Sequence, residues 1–153
     1  MVEKERQKSL LIACMLAAVV LLSGCNDSKT GRACFNEKCF TVEVASTPLE
    51  RAKGLMNRQY LDSDKGMLFM LEDEGIHNFW MKGMLIPLDI IWINESMDVV
   101  YLSRNVQPCK TEACKSITPD AKARYVLELN AGVANEIGLA VGDKATFDFY
   151  PSS

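Results

Sequence analysis

Apolar and polar residues alternate from Phe40 to Ala45 (FTVEVA), the period of a strand with one buried face. The pattern changes at Thr47-Pro48-Leu49-Glu50. A threonine able to cap, a proline suited to the first helical position and a glutamate completing a capping box predict a helix from there to about Met56. Leu49, Ala52 and Met56 share one face of it, and Gly54 is either a weak point or an early end. After a polar loop, Gly66 to Leu71 reads as a strand, Glu72 to Gly75 as a turn and His77 to Met84 as another strand, broken at Ile86-Pro87. Leu88 to Ile93 (LDIIWI) is apolar on both faces except at Asp89. Asn94 to Met97 is the hairpin turn that joins it to Asp98–Ser103. Residues 105–120 carry Pro108 and Pro119 and read as loop. Arg124 to Asn130 is a strand, Gly132 to Leu139 a short helix and Ala145 to Tyr150 a last strand. Roughly seven or eight short strands with one or two short helices predict a mainly β fold, a single antiparallel β-sandwich or partly open barrel.

The first 24 residues break from this pattern. A charged opening with Lys4, Arg6 and Lys8 precedes an apolar run, Leu10 to Leu22, too short for a permanent membrane span. That is the form of a secretory signal. Leu22-Ser23-Gly24-Cys25 resembles the bacterial lipobox, which implies cleavage before Cys25 and lipidation of that cysteine. The expected map is a signal peptide over 1–24, a flexible tether over 25–33 and one β-rich domain over 34–153. It places the protein in the cell envelope, lipid-anchored and facing the periplasm or exterior. The net charge of −3, with no Arg-rich run, argues against nucleic acid as a partner.

Compartment decides how the remaining cysteines are read. Cys34 and Cys39, and Cys109 and Cys114, form two pairs of identical spacing. Four cysteines allow three pairings, and the local ones are expected, because Cys34–Cys39 spans a hairpin end with Asn36-Glu37 at its turn. A four-thiolate zinc site prefers tighter spacings, and a catalytic dithiol needs Cys-x-x-Cys. No metal and no cofactor are expected.

Five ordered phrases resemble domain-of-unknown-function family 192 (DUF-192). They are Arg51-x-x-Gly54-Leu55-Met56-x-Arg58, Gly66-Met67-Leu68-Phe69, Phe79-Trp80-Met81-Lys82, Ile86-Pro87-Leu88-Asp89-Ile90 and Val126-Leu127-Glu128-Leu129-Asn130-Ala131-Gly132. The resemblance covers residues 40–150 and implies a small, β-rich, sandwich-like domain, often exported, with no settled activity.

Candidate chemistry centres on Asp89. A carboxylate inside an apolar strand must be paired or hydrogen-bonded. It either fixes the hairpin register as an internal ion pair, with Arg51, Arg58 or Lys82, or belongs to a ligand pocket with Arg58, Trp80, Lys82 and Glu128. Trp92 reads as core packing, and Trp80 as packing or a stacking surface. Two rival readings remain. Asp89 and Glu128 as a carboxylate pair would make a hydrolase or lyase. His77, Met81 and Met84 would suit copper(I) if the chain bends at Gly83. With a single histidine, no phosphate loop and no assembled triad, a binding or accessory module is favoured over an enzyme. Its partners would be the membrane, through the lipid, and a small polar ligand or an envelope protein.

Overall fold

The computed structural model describes residues 29–149 except Glu112. Strand β1 (Thr30–Phe35) turns at Asn36-Glu37 into β2 (Lys38–Ala45) with Cys34 opposite Cys39, and the two cysteines are bonded. The expected signal peptide and Cys25 lie outside the described residues. Thr30 to Ala33, expected within the tether, instead pair with β2 on one side and, from Gly31, with the last strand on the other.

Helix α1 (Pro48–Lys53) follows β2. Thr47 Oγ1 accepts from the Glu50 amide, and the Glu50 carboxylate accepts from the Thr47 and Ser46 amides, so the capping box is closed from both sides. The helix ends at Lys53, before Met56. Gly54 takes φ +47, where a side chain would be strained, and an added Cβ would lie 3.2 Å from the Phe69 ring. Strand β3 (Lys65–Gly75) then runs parallel to β2. A helix and loop between them give the chain length for a crossover, which a hairpin cannot provide.

The remaining elements are β4 (Leu88–Ile93), β5 (Val99–Val106), β6 (Ala123–Asn130), helix α2 (Val133–Glu136) and β7 (Ala145–Phe149). Among the described residues the seven strands form one mixed sheet, ordered β5-β4-β6-β3-β2-β1-β7, that does not close on itself. The mainly β class is as the pattern predicts, with β2–β3 as its one parallel pair. Two stretches differ from expectation. Residues 72–75 continue β3 instead of turning, and residues 77–84 form no strand.

Each face of the sheet carries its own core. Phe40, Val42, Leu68, Ile91, Ile93, Leu127 and Leu129 pack on one face under α2. Met67, Phe69, Leu88, Ile90, Trp92 and Val126 pack on the other under the segments around Leu55 and Met81. Strand β4 is therefore buried at every residue, which explains its unbroken apolar run. Burying each of its large side chains contributes about 1.5–3 kcal/mol.

Candidate functional site

Strand alternation separates the two acidic residues of the core. In the register of β4 against β6, Asp89 stands opposite Leu129 and Ile90 opposite Glu128. Opposed residues share a face, so Asp89 lies on the α2 side and Glu128 on the other. They cannot act as a carboxylate pair.

Asp89 is fully buried, and its partners are backbone amides. Asn105 N donates to Oδ1 at 2.7 Å, and Ala134 N donates to Oδ2 at 2.8 Å. Gly132, at the start of α2, has no side chain with which to cap the helix, and Asp89 supplies the acceptor from across the sheet. The expected convergence of Arg58, Lys82 or Arg51 on this carboxylate does not occur. Arg58 instead makes a bidentate pair with Glu43, Nη2 to Oε2 at 2.6 Å, which holds the Glu43 carboxyl below its ordinary range. Arg51 donates to the Ser46 and Met70 carbonyls at 2.7 and 3.1 Å and to Glu72 at 2.7 Å.

Glu128 has the opposite environment. Its strand neighbours on the same face are Met67 and Ile90. It is 4% exposed, and among the described residues its Oε2 is the one buried side-chain polar atom without a hydrogen-bond partner. Burial pushes its carboxyl up to about 8, so it is a neutral acid at pH 7.

This acid forms part of the wall of a cavity of about 360 Å³. The apolar lining comes from Met56, Phe69, Leu71, Phe79 and Met84, and the polar lining includes Arg51, Lys53, His77 and Lys82. Trp80, 55% exposed, stands among the lining residues. Of the five expected ligand residues, Trp80, Lys82 and Glu128 meet here, and Arg58 and Asp89 do not.

Residues 77–84 form the outer wall without being a strand. Phe79 exchanges two backbone hydrogen bonds with Ile117, at 3.1 and 2.7 Å, and Cys109 N donates to the Met81 carbonyl at 3.1 Å. Edge-on ring contacts run from Phe69 to Phe79, Trp92 and Tyr101, with centroids 5.0, 5.7 and 5.3 Å apart. Trp92 Nε1 donates to the His77 carbonyl at 2.9 Å, so Trp92 both packs the core and ties down the wall. The second disulfide, Cys109–Cys114, closes the loop that backs this wall. His77 Nε2 lies 3.0 Å from the Asp73 carbonyl, and Met81 is buried in the core. Of the three residues considered for copper, only His77 and Met84 line the cavity.

The alternation within Gly66-Met67-Leu68-Phe69 was the available signal for Phe69, since Phe69 shares a face with Met67, the neighbour of Glu128. Lys53, Phe79 and the thioether walls had no such signal, because the helix ends before Met56 and the alternation of residues 77–84 points to a strand that does not form.

Fold and site together define a small β-domain with one open sheet and an acid-bearing cavity on one face. The DUF192 family model, described as "Uncharacterized ACR", matches residues 31–147, and the chain belongs to that family. It is 27% identical over 112 residues to a UPF0127 protein of Thermococcus sibiricus, a match covering 70% of this chain and 66% of that relative. The crystal structure of a protein from Sinorhizobium meliloti, named there a "putative transcription regulator", is 31% identical with a TM-score of 0.68, over 78% of this chain and 93% of that one. A protein of unknown function from Novosphingobium aromaticivorans is 30% identical with a TM-score of 0.68, over 76% and 83%.

Proposed function

We propose that this chain is a membrane-anchored accessory module of the cell envelope that holds a small ligand in the cavity beside Glu128. The observation that carries the binding half is the Glu128 carboxyl. It is buried, its Oε2 has no hydrogen-bond partner among the described residues, and it borders a cavity within the range of small-molecule sites. A buried polar group without a partner destabilises the fold by about 1–3 kcal/mol, and a ligand that completes its hydrogen bonds recovers that energy. Aromatic and thioether walls provide the apolar surroundings that fix such a ligand in place.

The anchoring half is supported by Leu22-Ser23-Gly24-Cys25 after an apolar run, and by two disulfides suited to an oxidising compartment. The net charge of −3 gives no electrostatic footprint for nucleic acid. A fragment screen by isotope-edited NMR tests the pocket. The expected result is shifts confined to the lining residues and lost in Phe79→Ala; shifts scattered over the surface contradict it. Labelling with an alkynyl palmitate analogue tests the anchor: the wild type should take up label and enter the membrane fraction, and Cys25→Ser should do neither. Equal labelling of both would refute lipidation at Cys25.

A further inference from the structure

We infer that the ligand of this cavity carries a cationic amine, a small primary or methylated ammonium on an apolar body, which pairs with Glu128 among Phe69, Phe79 and Trp80. This rests on the pocket reading above and deepens it. A carboxyl inside the protein requires a partner, and hydrogen-bonded ion pairing is the strongest form that partner can take. Oε2 of Glu128 has none among the described residues. Its same-face strand neighbours, Met67 and Ile90, offer no nitrogen or oxygen from their side chains. The aromatic surroundings point the same way. Phe69, Phe79 and Trp80 all line the cavity with Glu128, and aromatic rings attract ammonium groups through their faces.

The titratable lining residues besides Glu128 are Arg51, Lys53, His77 and Lys82, and they do not reverse this choice. The Arg51 guanidinium is already bonded to two carbonyls and to Glu72. Lys53 and Lys82 are exposed, where water and salt screen their charge. A contact pair formed inside the cavity is screened far less.

Binding also moves a proton. Below its titration midpoint Glu128 is protonated, so the arriving ammonium forms the ion pair as the carboxyl proton leaves to the buffer.

The test uses the full chain at pH 7 and three probes of matched shape: 3-phenylpropylamine, 3-phenylpropanol and 3-phenylpropionate. Titration calorimetry in two buffers of different ionisation enthalpy reads both affinity and proton release. The amine is expected to bind about 10-fold or more tighter than the alcohol, releasing about one proton. Glu128→Gln should abolish that preference and the release, and a retained preference would contradict the assignment; amide NMR shifts unchanged away from the cavity show that the variant is folded. If the alcohol or the carboxylate binds as well as the amine, the amine assignment is wrong and the pocket reading stands. If no probe binds at millimolar concentration, the pocket reading itself fails, and the amine with it.

Discussion

Glu128 and Asp89 are both acidic, both buried and one register position apart on neighbouring strands, yet they do different work because of what faces them. Asp89 accepts from two backbone amides and holds α2 against the sheet. Asp89→Ala leaves those two N–H groups buried without acceptors. It should lower the unfolding free energy by about 2–4 kcal/mol, read from urea melts, while cavity binding stays intact. A loss of binding without a loss of stability would return Asp89 to the site. Glu128 has the reverse signature. Its carboxyl titrates near 4.5 when exposed and near 8 in the fold, so between these values the folded chain binds more protons than the unfolded one. Stability should therefore fall as pH rises through that window, by an amount on the order of 4 kcal/mol. Glu128→Gln, which mimics the protonated acid, should flatten the decline between pH 5 and 9. An unchanged slope would mean that another group drives it.

Among the elements, the wall at residues 77–84 is the least regular and the most consequential for the cavity. Its hydrogen bonds to Ile117 and Cys109 tie it to the loop closed by Cys109–Cys114. In the chain-entropy account a loop this short contributes about 2 kcal/mol. The Cys109→Ser/Cys114→Ser pair should lose roughly that in a thermal melt. Hydrogen exchange should quicken at Phe79 and Ile117 before it does in β4 or β6, and uniform acceleration across the sheet would contradict a local role. Elements with a period or a cap were legible in the sequence. The Thr47 capping box, the Cys34–Cys39 hairpin and all of Leu88–Ile93 are as the pattern predicts. The stretch from His77 to Met84 was not, because its alternation mimics a strand while its backbone pairs only through isolated bridges at Phe79 and Lys82. Aromatic contacts from Phe69 to Tyr101 outweigh local propensity there.

For the molecule as a whole, sheet order could not be read from local pattern. β6 lies between β4 and β3, and β1 lies between β2 and β7, so residues far apart in sequence become neighbours. That arrangement brings Glu128 beside Met67 and Ile90 and separates it from Asp89. Only the register tells that two acidic positions in apolar strands face opposite ways. The same topology buries β4 between two cores and leaves one of them indented by the cavity. The Asp89 anchor on the α2 face and the Glu128 cavity on the other are thus physically divided.

The most direct test follows the side-chain carboxyl carbon of Glu128 by carbon-13 NMR from pH 4 to pH 10 in the unliganded protein. A midpoint close to the value near 8 that burial imposes is predicted. A midpoint in the ordinary glutamate range, about 4.3, would mean that the carboxyl is hydrated or already paired, and the cavity would have lost the acid on which its proposed role depends.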